Sequence, residues 1–240
     1  MLIEIDTHFH SVASTHAYST VKEIASSTKK SGLKGFALTD HAPNINDAPH
    51  VWHFHNLKVL PRYIEDVIML KGAEANIIDL DGNIDLNELD LSYLEWVIAS
   101  FHYRIEGATS EDYTNAYIKL AKNNEAVDLI GHSTTTWFDF DYEKVIKVFK
   151  EYNKIVEINE SSIICNKSPK ENIVKMLNVC KKYNLPIAVN SDGHYCDIVG
   201  CVSESEKIIE ELNFPKELII NSDANMLFDY IKNKRKNFTI

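Results

Sequence analysis

The chain has 240 residues, 45% of them hydrophobic, and a net charge of −10. That length and apolar content suit one domain with a sizeable core, and eight glycines with six prolines exclude a collagen-like or low-complexity chain. The acidic balance, with no stripe of Lys and Arg interleaved with aromatics, excludes a dedicated nucleic-acid surface that works by neutralising phosphates.

In chain order, β-branched runs alternate with amphipathic ones. "LIEID" (2–6) reads as a strand, and "STVKEIASSTKKSG" (19–32) as a helix closing on Gly32. The strand "KGFALT" (34–39) leads into a loop, "NINDAPHVWHFHN" (44–56). "VIMLKGAE" (67–74) is the third strand, followed by a hairpin, "IIDLDGNIDL" (77–86), turning at Asp81-Gly82. Strands at 96–101, 127–131, 154–159 and 186–191 then alternate with helices at 110–124, 141–153 and 168–184, the last opening on Ser168-Pro169. Helices at 203–213 and 223–234 end the pattern, and "YIKNKRKNFTI" reads as a solvated, frayed helix end.

The chain opens directly on "LIEID", without a basic segment leading into an apolar one, and has no run of 18 apolar residues. Its four cysteines, Cys165, Cys180, Cys196 and Cys201, form no C-x-x-C pair. These features point to free thiols, a cytoplasmic setting and no membrane contact. A homo-oligomer is compatible with the sequence, which does not fix the oligomeric state.

Seven strands, mostly followed by helices, call for parallel pairing through crossovers, as a doubly wound sheet or a closed barrel. The polar residues choose between them. Every expected strand but the sixth ends in a metal-ligating type: His8 and His10, with His16 one short loop on, then His41, Glu74, His102, His132, and Asp192 with His194. Only a barrel, whose C-terminal strand ends surround one axis, gathers groups so far apart in sequence. A lone histidine at a strand end is ordinarily a hydrogen-bonded core or surface residue. Seven histidines with two carboxylates at successive strand ends, and none in a clear helical stretch, read as a metal site. Locally, a rise of about 3.3 Å per residue puts His8 and His10 on one side of their strand, with Asp6 placed to orient a ligand histidine.

"DTHFHS", "TDHA", "KGAEAN", "ASFH", "GHS" and "NSDGH" resemble the PHP (polymerase and histidinol phosphatase) metallohydrolases, and "ASTHAYS" with "DAPHVWHF" is similar to their small stand-alone bacterial phosphatases. The resemblance implies a distorted seven-stranded (β/α)7 barrel, TIM-like, one domain over residues 1–240, with three divalent ions at the C-terminal face. His8, His10, Glu74 and Asp192 would hold the first; Glu74 would bridge to a second with His102 and His132; His16, His41 and His194 would hold the third. Zinc is the simplest assignment, and manganese or iron accept the same donors. Three divalent ions against two carboxylates leave a site near about +4, which attracts a phosphate dianion despite the acidic surface.

The expected reaction is hydrolysis of a small phosphate monoester by a hydroxide generated on the ions. Asp40, His53 and His55 are candidate acids for the leaving group, Arg62 and Arg104 candidate phosphate clamps, and His50, Trp52 and Tyr18 candidate substrate contacts. Glu157 and Asn159 are expected to support the barrel mouth. Three rivals remain. A phosphodiesterase or nuclease on the same metals is disfavoured by charge. An amidohydrolase would bring eight strands and gives His16 and His41 no role. A metal-binding structural module does not need a complete ligand set.

Overall fold

A computed structural model describes residues 2–240. Eight strands form: β1 (Ile5–Phe9), β2 (Gly35–Leu38), β3 (Tyr63–Ile64), β4 (Val67–Asn76), β5 (Trp96–Ser100), β6 (Leu129–Ile130), β7 (Ile155–Asn159) and β8 (Ile187–Asn190). Seven pair in parallel in the order β1-β2-β4-β5-β6-β7-β8, a nearly closed barrel; β3, which the sequence pattern did not reveal, is a two-residue antiparallel flap on β4. The expected seven-stranded barrel is therefore the observed one. Its strands are buried on both faces, which is why they read as continuous apolar runs.

The seam between β8 and β1 is closed by side chains. Asn221 Nδ2 donates to the carbonyls of Ile5 and Val189, and its Oδ1 accepts from the Val189 amide. The amide and hydroxyl of Thr7 both donate to Asn190 Oδ1. Higher up, the His10 amide donates to the Gly193 carbonyl. Gly193 accepts no larger residue, because a Cβ there would stand 2.0 Å from Phe9 Cε2.

β1 runs three residues further than expected and bulges. Asp6 lies opposite Phe36 but Phe9 lies opposite Leu38, so β1 carries one extra residue. The bulge turns Asp6 away from the rings of His8 and His10. Its carboxylate instead accepts from the Ser191 hydroxyl and the amides of Ser191 and Gly200, and burial raises its pKa to about 6 against those donors.

The helices are α1 (Val21–Lys30), α2 (Trp52–Asn56), α3 (Glu88–Leu91), α4 (Ser110–Asn123), α5 (Tyr142–Glu151), α6 (Glu160–Ile164), α7 (Lys170–Tyr183), α8 (Ser203–Glu211) and α9 (Ala224–Lys234). Thr20 with Glu23 and Thr109 with Asp112 form capping boxes that start α1 and α4. α7 begins after Pro169 without a side-chain cap; Ser168 is engaged by the Thr134 hydroxyl instead. The expected hairpin forms as a short irregular one: Ile77 and Ile84 make an antiparallel bridge, the Ile78 amide donates to the Asn83 carbonyl and the Asp85 amide to the Asn76 carbonyl, with Gly82 at φ +73° in the turn. α2 places His53 and His55 on a helix, against the expectation of a loop.

α9 plugs the N-terminal end of the barrel. Leu227, Phe228 and Ile231 join Ile5, Leu70, Trp96, Ile98 and Leu129 inside it, each such side chain contributing about 1.5–3 kcal/mol by burial. The basic tail is pinned, contrary to the expected fraying. Arg235 grips buried Asp128 with both terminal nitrogens, Lys234 reaches the same carboxylate, and Phe238 is buried beneath Arg62. Asp128 is fully buried, so the cations that neutralise it cannot be left to solvent. No helix among the described residues is long and apolar enough to cross a membrane.

Candidate metal centre

The C-terminal strand ends bring all nine of the expected ligand residues to one place. Glu74, on β4, is the hub. Its Oε1 lies 3.0 Å from His132 Nε2 and 3.2 Å from His102 Nε2, and accepts from the Ser100 hydroxyl. Its Oε2 lies 2.9 Å from His41 Nδ1, 3.4 Å from His8 Nε2 and 3.6 Å from His10 Nε2. Asp192 Oδ1 is 3.1 Å from His10 Nε2 and 3.4 Å from His8 Nε2. The rings of His16, His41 and His194 stack alongside, His16 being 4.4 Å from His194 and 5.2 Å from His41 between centroids.

Hydrogen bonding alone does not account for this cluster. His8 Nδ1–H donates to Glu157 at 2.8 Å, which leaves Nε2 with its lone pair facing inward, 3.1 Å from His10 Nε2. His194 Nδ1–H donates to the Asp192 carbonyl, so its Nε2 is also free and buried without a partner. His10 Nδ1 and His102 Nδ1 are buried with no polar partner among the described residues, and the close approaches of His41 Nδ1 to Glu74 Oε2 and of His102 Nε2 to Glu74 Oε1 lack hydrogen-bond geometry. So many orphaned donors of one type fit divalent cations bound by imidazole and carboxylate. Three overlapping sets have ligand atoms within 4.8 Å of one another: His8, His10 and Glu74; His41, Glu74 and His102; His10, His41 and His194. His41 thus reaches both Glu74 and the outer histidines.

The backbone is strained at two of these positions. His132 has φ +27° and Asp192 φ +52°, left-handed conformations that cost a non-glycine residue about 1–2 kcal/mol. Electrostatics adds to the tension. Burial opposes the charged forms throughout, yet Glu157, Asp192 and Glu74 outweigh it at His8, and Glu74 outweighs it at His41 and His132, so all three pKa values are raised. Burial, reinforced by His41, takes His10 down to about 3, and burial also lowers His102 and His194. Glu74 and Asp192 stay ionised far below the usual carboxylate range, because the surrounding imidazoles overcome the burial that would raise them.

Glu157 supports this set from β7, the one strand without an expected ligand. One oxygen accepts from His8 Nδ1–H and the Asn190 amide group, the other from the His132 amide and Asn159. The orienting carboxylate of His8 is thus Glu157, not Asp6. A Glu157→Gln protein presents an NH2 to one of these donors and loosens both His8 and His132; we expect about a 10–100-fold drop in cation affinity, measured by chelator competition.

The other candidates lie elsewhere. Asp40 is fully buried behind the cluster, accepting from the Ser11 amide and the hydroxyls of Ser11 and Ser14, with His53 Nε2 at 3.1 Å. His55 is held by Asp90 and stacks on Tyr93. None of Asp40, His53 and His55 lines the cavity over the cluster, nor do His50, Trp52 and Tyr18. Arg62 is forked onto Glu95 and the Met69 carbonyl, and Arg104 lies over the Trp137 ring.

That cavity, about 560 Å³, is lined by ligand candidates together with residues the sequence reading missed: Asp47, Tyr103, Trp137 and Lys167. Asp47 contacts His16 Nδ1, and its carbonyl accepts from the Thr15 amide, which staples the two loops together. A single acid or lysine in a loop leaves no periodic or spacing signal.

Residues 6–214 match the PHP domain family. A probable phosphatase of Caldicellulosiruptor saccharolyticus is 40% identical over 239 residues, 99% of each chain. A probable phosphatase of Acetivibrio thermocellus is 41% identical over 237 residues, 98% of each. Among solved structures, histidinol phosphate phosphatase from Lactococcus lactis, in complex with zinc, L-histidinol and phosphate, superposes with a TM-score of 0.63 at 16% identity, covering 88% of this chain and 94% of that one. That last likeness speaks to the fold.

Proposed function

The chain belongs to the PHP domain family, and from its relatives and the geometry of its barrel mouth we propose a phosphatase that hydrolyses a small-molecule phosphate monoester at a centre of three divalent ions. The observation that carries this reading is Glu74, whose two oxygens lie among five imidazoles on the floor of a cavity sized for one small molecule.

His8, His10, Glu74 and Asp192 would hold the first ion, Glu74, His102 and His132 the second, and His16, His41 and His194 the third. Zinc suits these donors, with manganese and iron as alternatives. Divalent ions bound there supply an activated water at neutral pH and neutralise charge on the phosphoryl group.

The protein's own residues fix that geometry. Glu157 holds His8 in the tautomer whose Nε2 faces inward. Glu74 and Asp192, kept ionised, hold the imidazoles in a binding array before substrate arrives. Asp47 orients His16, the half-exposed member of the set. Lys167 lines the cavity, and its ammonium would supply donors to phosphoryl oxygens. The four cysteines are free thiols, which suits the reducing cytoplasm where we place the enzyme.

The test is to strip the protein with a chelator, add back zinc, manganese or iron(II) separately, and assay nitrophenyl phosphate beside bis-nitrophenyl phosphate. We expect monoester turnover to vanish on stripping and return with one of the metals. Unchanged monoester turnover in fully stripped protein would sink the mechanism, and a preference for the diester would reassign the enzyme to diester cleavage.

A further inference from the structure

The cavity over the histidines has two chemistries. Inside are charged and imidazole groups, Glu74 being 1% exposed and His41 5%. At the mouth stand large apolar side chains open to solvent: Tyr103 at 60%, Trp137 at 45% and Ile198 at 42%. Tyr103 directly follows His102, and Trp137 lies on the loop that begins with His132, so the loops that aim two imidazoles inward also carry the aromatics.

Trp137 rests on a fixed base. Its ring meets Phe138 edge-on at 6.4 Å; Phe138 is buried and packs on Phe101 at 5.4 Å. The Arg104 guanidinium lies 5.5 Å from the indole centroid, a cation–π contact that holds the ring while leaving it nearly half exposed. Folding alone gives no reason to keep two aromatic rings wet at the lip of a polar cavity, whereas a bound ring would cover them.

We infer that the alcohol portion of the substrate carries a flat aromatic ring system, seated against Trp137 and Tyr103 while the phosphate faces the histidine cluster. This rests on the phosphomonoesterase reading and adds the class of leaving group to it. A cavity of about 560 Å³ takes one such molecule and excludes a folded polymer.

The test compares 1-naphthylmethyl, cyclohexylmethyl and butyl phosphates. All three leave as primary alkoxides of similar basicity, so differences in kcat/KM report the seat. We expect the naphthylmethyl ester to exceed the butyl ester by about tenfold and the cyclohexylmethyl ester by several-fold, and Trp137→Ala or Tyr103→Ala to bring those ratios close to one. Near-equal kcat/KM for the three esters in the native enzyme, or ratios that survive both substitutions, overturn the inference. If no monoester is turned over at all, the phosphatase reading fails instead. The ring seat is then decided by binding of 1-naphthylmethylphosphonate, read as a change in tryptophan fluorescence that Trp137→Phe abolishes. Absence of that change in the native protein rejects the seat on its own.

Discussion

Glu74→Gln lowers phosphomonoester turnover by at least about a thousandfold and leaves the purified protein short of bound cations. The substitution keeps shape and volume, so the β4 backbone and its bridge to His41 have no steric reason to move. What changes is charge and one donor. Whichever way the amide turns, its NH2 points at nitrogens whose lone pairs face inward: those of His102 and His132 on one side, or of His8, His10 and His41 on the other. The shared anion disappears at the same time, so two ions would lose a ligand together. Loss of one charge-stabilising contact in a metal-assisted reaction is worth several kcal/mol, and about 4 kcal/mol is the thousandfold. Elemental analysis and phosphate release check this on one preparation, and circular dichroism establishes that it is folded. A folded E74Q protein with a full complement of ions and native turnover would remove Glu74 from the centre.

The barrel was legible because its signal is redundant. Each apolar run and each amphipathic stretch repeats the same crossover unit, and ligand-type residues at successive strand ends exclude a flat sheet. What escaped the sequence is what lacks a period. The bulge in β1 adds one residue and redirects Asp6, and nothing in "LIEID" announces it. The tail "YIKNKRKNFTI" looks solvated because its partner, Asp128, lies some hundred residues earlier and shows its burial only in three dimensions. His53 and His55 sit on a helix of five residues, too short to leave an amphipathic pattern, and their partners are Asp40 and Asp90 rather than the cavity. The nine ligand candidates were found because each follows a strand; Asp47 and Lys167 reach the same cavity from loops and show no such regularity.

Cation retention falls about ten- to a hundredfold per pH unit as the pH drops from 7.5 to 5.5. Imidazole binds a metal only when deprotonated, so protons and ions compete. The competition is sharpest at His8, His41 and His132. Around them carboxylates outweigh burial and lift the pKa above the ordinary 6.5. His10, held at about 3, stays neutral, and His102 and His194, lowered from 6.5 by burial, add less to the slope.

In the stripped protein the same shifts act on folding with opposite signs. The raised histidines stabilise the fold at pH values below 6.5 and lose that contribution as pH rises through their folded values. The lowered ones destabilise it as pH falls below 6.5, because the unfolded chain takes up protons that the fold refuses. The two sets act in opposite directions, while Glu74 and Asp192, whose values are depressed, withdraw their support only as pH falls below their ordinary 4.5 and 3.8. Melting of stripped protein should therefore change less between pH 7.5 and 5.5 than melting of loaded protein, which falls toward it as the ions leave. Parallel thermal scans, loaded and chelated, measure the closing gap. A gap that stays constant down to pH 5.5 would mean that His8, His41 and His132 hold no ion.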